Sequence, residues 1–417
     1  MSVNVEKALA AFKAAINRRV ANYIESCTHA MMCAYVCPFS KTTLKSDFTP
    51  IWLGDEVRKV YRKHFTLAGK IFGKVLKAED LTEEKLKYWA ELAYTRCCLC
   101  YLCGFACPHA IENPPFLEVM RVTVYASGLT PLELAKLVEA EEKNGHSMLS
   151  KSDWYGFIEE VRKSGVSVPV DKKGARILYV PGYRDVKDVP NKVISIFKIL
   201  NAANEDWTVS TEFFNGSLLS YVAGAEEIAE KVLEKNVKVA EKLGVESVLM
   251  GNADGEYSFY RWDATKLLGE KLPFSVVHST ELIEGYLRDG KLSVDASKNP
   301  ETTTYHDPCH LARYAGVVKP PRYILENVVK DFREMNPNGI HNLCCMGGWG
   351  LIEVPTSKEP RMRAFSLKLE QIKETGAKLV STACTSCIIS LKEGFEHYKA
   401  KFEVKDIVEL VANALKS

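Results

Sequence analysis

Apolar residues recur at three- and four-residue spacing through roughly the first 170 residues of the chain, and then the period changes. Val5, Leu9, Phe12, Ile16, Val20, Tyr23 and Ile24 alternate with Lys7, Lys13, Arg18 and Arg19, which predicts an amphipathic helix running up to Cys27. About 60 mostly helical residues separate two cysteine-rich strings. Beyond them, PPFLEVMRVTVYASG, PLELAKLVEAEEKNG and SDWYGFIEEVRKSG predict three helices, each opened by Pro, Ser or Asp and closed near a Gly. The linker VPVDKKGA then leads into an apolar strand, Ile177 to Val180, after which short β-rich runs alternate with helices. A helix over 223–243 precedes the strand SVLMGN, and FSVVHS precedes a helix over 282–287. The expected fold is α+β and multi-domain: a helical part at 1–170, then two α/β units at 171–298 and 299–417.

The two α/β units can be laid over one another. LYVPGY matches TYHDPCH, EFFNGS matches NLCCMGG, and VLMGNADGEY matches LVSTACTSC. Gly182 then falls on Cys309, Phe213 and Phe214 on Cys344 and Cys345, Ala253 on Cys384, and Glu256 on Cys387. This reads as an internal duplication whose first copy has lost all five cysteines, its replacements filling the vacated space.

Composition narrows the function. With 417 residues the chain can build large cores without covalent staples, and its 13 cysteines are an odd number. No apolar signal segment opens MSVNVEKALAAFKAAINRRV, so a reducing compartment is expected. No run of 18 apolar residues suggests a membrane span, and 55 basic against 53 acidic residues give no case for nucleic acid.

The cysteines themselves are spaced for metal. CCLCYLCGFACP holds Cys97, Cys100, Cys103 and Cys107 ahead of Pro108, the C-x2-C-x2-C-x3-C-P run of a bacterial-type ferredoxin. Three thiolates grip one cubane from a single loop, and the fourth serves the other cluster. CTHAMMCAYVCP repeats this register with Cys27, Cys33 and Cys37, but Ala30 stands where the second cysteine belongs. One complete [4Fe-4S] cubane site therefore comprises Cys97, Cys100, Cys103 and Cys37, and a second site has only Cys27, Cys33 and Cys107. Three outcomes are open for it: a [3Fe-4S] cluster, a [4Fe-4S] cluster with a substitute ligand such as His29 or Cys98, or a degenerate site.

In the last quarter Cys309, the pair Cys344 and Cys345, and Cys384 with Cys387 lie in three separate loops. His306 and His310 flank Cys309 and His341 precedes Cys344, placing imidazoles where they can protonate a leaving thiolate or donate hydrogen bonds to cluster sulphur. His310 is the leading candidate for the first role. Gly347, Gly348 and Gly350 read as a close backbone approach, not a phosphate loop. Zinc, or thiols without metal, is the remaining alternative for these cysteines.

The spacing Cys309, 34 residues, Cys344-Cys345, 38 residues, Cys384-x2-Cys387 resembles the CCG-domain family of heterodisulphide-reductase-type iron-sulphur proteins. Behind a two-cluster ferredoxin part it is similar to the D-type chain of that family. The resemblance implies a non-cubane [4Fe-4S] cluster on Cys309, Cys344, Cys345, Cys384 and Cys387 that binds and reduces a disulphide. A single complete motif, with Met346 where glycine is usual, is similar instead to the DsrK/TmcB/HmcF group, as are RKHFTLAGKIFGKV and TYHDPCHLAR. Ala30 departs from the Dsr pattern. The resemblance implies an iron-sulphur electron-transfer and catalytic subunit of a respiratory complex. Its expected partners are a b-type cytochrome or other integral membrane subunit, other complex subunits, and a heterodisulphide or small sulphur carrier. The expected place is cytoplasmic, held peripherally at the inner face of the membrane. The rival expectation is an electron relay between a dehydrogenase or cytochrome and a quinone-reactive subunit.

Overall fold

The computed structural model describes residues 3–43, 45–216, 218–251 and 255–416. Ala253, one point of the internal overlay, lies outside the described residues. The chain forms mixed helix and sheet, and packs as two compact units. One comprises Met1–Lys136, Ser220–Glu226 and Gly348–Leu367; the other comprises Leu137–Leu219, Glu227–Gly347 and Lys368–Ser417.

The first unit is helical among its described residues. The opening amphipathic run is two helices, Val5–Ala15 and Arg18–Ser26, because Asn17 turns extended and its side chain accepts from the Val20 amide, capping the second helix. Its apolar face is core: Phe12, Val20 and Ile24 are buried, and Phe12 packs against Trp89 with ring centroids 5.9 Å apart. Val5–Ala15 and Glu83–Thr95 both lie against Pro114–Ser127, whose end is set by Gly128 at φ 84.

The second unit contains two four-stranded parallel sheets. In the first, β1 (Ile177–Val180), β2 (Trp207–Val209), β3 (Ser247–Met250) and β4 (Ser275–His278) are ordered β2-β1-β3-β4. In the second, β5 (Thr303–Tyr305), β6 (Phe332–Arg333), β7 (Leu379–Thr382) and β8 (Glu403–Asp406) are ordered β6-β5-β7-β8. Parallel pairing demands crossover connections, and the helices between strands supply them. The expected strand at 177–180 is observed as such, while the expected helix over 223–243 is broken at Gly224 into Leu218–Ala223 and Glu226–Leu243.

The helices pair reciprocally between the sheets. Pro190–Ala202, which follows β1, packs on Ile407–Ala414, which follows β8; Ser279–Arg288, which follows β4, packs on Lys319–Val328, which follows β5. Each early helix of one sheet thus meets the late helix of the other.

Candidate iron-sulphur sites

In each sheet the chain reverses its direction of winding between the two central strands, and side chains from the loops beyond their carboxyl ends meet at that crevice. In the second sheet those strands are β5 and β7. Cys309 follows β5 and Cys384 follows β7, so the crossover that builds the sheet also brings their loops together. Cys384 caps the helix Thr385–His397, its sulphur 3.4 Å from the Cys387 amide, and this fixes the two thiols on one turn. The third loop, after β6, places Cys345 Sγ 3.1 Å from Cys387 Sγ. Gly347 lets that loop lie against the helix, since a Cβ there would come within 2.5 Å of Ser390 Cβ and 2.7 Å of the Ser386 carbonyl oxygen. Ser390 Oγ donates to the Cys345 carbonyl at 2.6 Å and ties the loop down.

All five of these cysteines are buried, and all 13 in the chain are free thiols. Hydrogen bonding with Cys344, together with burial, raises the Cys345 thiol well above its ordinary range; burial does the same for Cys387. The thiols of Cys344, Cys345, Cys384 and Cys387, held this close without a disulphide, form a sulphur-rich donor set, which suits a soft metal or an iron-sulphur cluster. Deprotonating them inside the protein requires compensating positive charge, which a bound metal would supply.

The histidines separate by position. His306 is wholly buried, and a ring nitrogen lies with the Cys345 and Cys387 sulphurs in a group whose atoms are all within 4.8 Å of one another. Neither of its ring nitrogens has a hydrogen-bond partner, and burial holds it well below the usual imidazole range, in the neutral form. His310 is also buried, with Nδ1 3.4 Å from Ser258 Oγ and its ring edge-on to Tyr314. His341 is exposed.

Two buried cations escape the sequence reading. Lys368 is fully buried, donates to Gln371 Oε1 at 2.5 Å, and is pushed down to about 8 by burial against the opposing pull of Asp307, Cys345, Cys344 and Cys387. Its signal was its place on a helical stripe with Ala364, Phe365 and Ile372, all buried. Lys192 lies 2.8 Å from Thr385 Oγ1 and 3.1 Å from Asp185, within the field of Cys384.

At the matching place in the first sheet, Phe213 and Phe214 are buried as the overlay expects, but Glu256 is buried too. Burial pushes its carboxyl well above the usual range, and its Oε1 accepts from the Tyr183 amide at 3.1 Å. The packing around Glu256 is therefore partly polar.

In the first unit the two cysteine loops share one backbone form. His29 and Met31 have φ 57 and 63, and Leu99 and Tyr101 have φ 49 and 62. The short helices Met32–Val36 and Leu102–Ala106 follow, ending at Cys37 and Cys107 in extended conformation. Left-handed non-glycine residues are costly and persist where the surroundings fix them, so the loop around Ala30 keeps the backbone form of the loop around Cys100. Cys37 lies in the field of Cys97 and Cys100, and Cys103 in that of Cys100, Cys97 and Cys37; Cys33 is near Cys107 and Cys27. Burial raises the Cys37 and Cys103 thiols well above their ordinary range, Cys97 to about 12 and Cys33 to about 11.

Cys37, Cys97, Cys100 and Cys103 line one apolar pocket, and Cys98 lies on it as well. Cys27, Cys33 and Cys107 line another with Ala30, His29 and His109. His29 Nε2 is 3.0 Å from Asp55 Oδ1 and 2.9 Å from Arg58 Nη1, while His109 Nε2 is 3.1 Å from Thr28 Oγ1. Of the two proposed substitutes Cys98 lies on the pocket of Cys37, Cys97, Cys100 and Cys103, His29 is engaged by a carboxylate and a guanidinium, and His109, two residues after Cys107, was not foreseen.

The Cysteine-rich domain family, CCG, matches residues 303–392. The chain is 27% identical to Hdr-like menaquinol oxidoreductase iron-sulfur subunit 2 of Archaeoglobus fulgidus, covering 96% of this chain and 81% of that one. It is 28% identical to the D-type chain of the dihydromethanophenazine:CoB–CoM heterodisulfide reductase of Methanosarcina acetivorans, over 94% of each chain. EtfAB:quinone oxidoreductase of Syntrophomonas wolfei is 24% identical, over 76% of this chain and 46% of that protein. With a CCG match at residues 303–392 and likeness to such subunits along nearly its whole length, the chain is similar to heterodisulphide-reductase-D-like iron-sulphur oxidoreductase subunits; no helix among the described residues is long and apolar enough to cross a membrane.

Proposed function

We propose that this chain is the catalytic subunit of a membrane-associated respiratory complex in which a disulphide- or trisulphide-type substrate is reduced, or the corresponding thiols oxidised, at the five-cysteine site. The observation that carries this reading is the gathering of buried sulphur donors where the sheet reverses, with Cys345 Sγ 3.1 Å from Cys387 Sγ and buried Lys368 in their field. Cys309, Cys344, Cys345, Cys384 and Cys387 would hold a non-cubane [4Fe-4S] cluster, which supplies single electrons and an iron atom to retain one substrate sulphur between them. Lys368 balances the negative charge of the thiolates. His306, neutral and without a partner, is placed to donate a hydrogen bond to sulphur, a role the sequence offered to His306, His310 and His341 alike, while naming His310 first for protonating a leaving thiolate.

Cys97, Cys100, Cys103 and Cys37 would hold a [4Fe-4S] cubane and Cys27, Cys33 and Cys107 the deficient cluster, both feeding electrons to the catalytic site. We read 1–170 as ferredoxin-like, 171–298 as a degenerate repeat and 299–417 as the complete CCG repeat. The common strand order and reciprocal helix pairing support the duplication. A b-type cytochrome or similar integral subunit would connect the chain to the inner face of the membrane, and a heterodisulphide or small sulphur carrier would be the substrate.

The likeness to a quinone oxidoreductase supports a second reading, a pure relay between a dehydrogenase or cytochrome and a quinone-reactive subunit. EPR on anaerobically purified, oxidised protein separates the two. A thiol-dependent paramagnetic species that vanishes in Cys309→Ser, with the ferredoxin-type signals retained, is expected for sulphur chemistry. A spectrum indifferent to added thiol favours the relay, and iron absent from the five-cysteine site refutes both.

A further inference from the structure

Next to the Pro50–Phe65 helix the chain makes a projection that hides little of its apolar surface. Leu67, Ile71, Phe72 and Val75 are 74, 62, 60 and 82% exposed, and Phe65 is 42% exposed. Four such residues within nine positions form a contiguous patch of the kind that marks an interaction site, unlike scattered surface apolars. Lys70, Lys74 and Lys77 lie between and beside them, all exposed.

The projection is a built element. Thr66 turns extended and caps Leu67–Ile71, its Oγ1 accepting from the Gly69 amide at 3.0 Å. Gly69 packs directly on the preceding helix, where a Cβ would fall 2.0 Å from the Arg62 carbonyl oxygen. Arg62 Nη1 reaches over to the Leu76 carbonyl at 3.1 Å, and the Glu79 amide donates to the Lys59 carbonyl at 3.1 Å, closing the projection at its base. The apolar side chains therefore stand in water on an anchored backbone.

Charge decides what such a surface fits. Asp80 is taken up by Lys63 and His64, and Glu79 by Lys59 and Lys85; Lys70, Lys74 and Lys77 carry no ion pair among the described residues. The cores of protein interfaces are depleted in lysine. An exposed apolar ridge interleaved with unpaired lysines is instead the composition that seats in the headgroup region of an anionic bilayer, with the apolar side chains among the upper acyl carbons and the ammonium groups at phosphate level. Lysine stems can follow the apolar side chains into that layer while their charges stay wet.

We propose that residues 65–77 form a direct lipid contact, so that the chain touches an anionic membrane surface by itself and is not held there solely through a partner subunit. The proposal stands on this surface alone and is independent of the sulphur chemistry.

The test is flotation of the anaerobically purified full chain with vesicles of phosphatidylglycerol and phosphatidylcholine in equal parts, and with pure phosphatidylcholine. Binding to the anionic vesicles, weak or absent on the neutral ones, is expected. Leu67→Ser/Phe72→Ser should lower the partition coefficient more than tenfold, and each of Lys70→Gln, Lys74→Gln and Lys77→Gln roughly fivefold. Leu132→Ser, at a residue 62% exposed elsewhere, should change nothing. Because all the altered side chains are exposed, iron content and circular dichroism should match the parent. No flotation of the parent chain, or flotation indifferent to these variants, overturns the proposal. So does a parent that floats only with vesicles carrying the integral membrane partner, which would make the ridge a protein docking surface.

Discussion

Arg121→Met should loosen the first unit at one identifiable place. Arg121 is 1% exposed, and its guanidinium spans three stretches far apart in sequence. Nε donates to the Ala93 carbonyl, and Nη1 to the Val222 and Trp349 carbonyls, each at 3.0 Å, while the cation lies 5.0 Å from the Tyr94 ring centroid. Hydrogen bonds from a charged donor contribute about 1.5–3 kcal/mol each, so three of them amount to roughly 6 kcal/mol. The buried charge itself costs several kcal/mol of lost hydration, which methionine does not pay, leaving a net loss of about 3 kcal/mol. Methionine retains the aliphatic packing but strands three carbonyls.

Hydrogen-exchange mass spectrometry reads this locally. In peptides covering Ser220–Glu226 and Gly348–Glu353, protection should fall on the order of a hundredfold, with little change in the second unit. Arg121→Lys should be intermediate, because an ammonium keeps the charge and loses the planar fork. A change of less than about tenfold in Arg121→Met would falsify the clamp, since it would mean that packing alone holds these segments.

Ala30→Cys should complete the deficient site, because the backbone around position 30 already has the form seen around Cys100; one additional iron per chain and loss of a [3Fe-4S] EPR signal are expected, and unchanged iron would show that the site is closed for another reason. Acid should destabilise the second unit through two histidines. Nδ1 of His146 accepts from the Met148 and Leu149 amides, Nδ1 of His278 accepts from the Thr280 amide, and burial pushes both down to about 3. The unfolded chain takes up these protons near pH 6.5 and the folded chain near pH 3, so stability is full above 6.5 and falls between the two, by about 1.4 kcal/mol per pH unit per histidine. Urea midpoints measured across that window should flatten in His146→Asn/His278→Asn; an unaltered slope would locate the acid sensitivity elsewhere.

What the sequence determined by itself is whatever short-range spacing and periodicity control. Cys97, Cys100 and Cys103 must share a site because a loop that short cannot part them, and the strand at Ile177–Val180 and the capped helices before it follow from local patterns. The boundary at Asn17 was also written locally, in a helix-capping residue that the continuous apolar stripe concealed. Other features depended on residues far apart in the chain. Cys309, Cys345 and Cys387 come from three loops, and only the parallel crossover that sets β5 beside β7 decides that the loops converge. Tertiary packing buries the charged Lys368 and Arg121 and leaves the apolar Leu67, Ile71, Phe72 and Val75 in water, against what residue type alone favours. Periodicity reports which side chains share a face, whereas burial depends on what the rest of the chain lays against that face, and no local pattern contains that information.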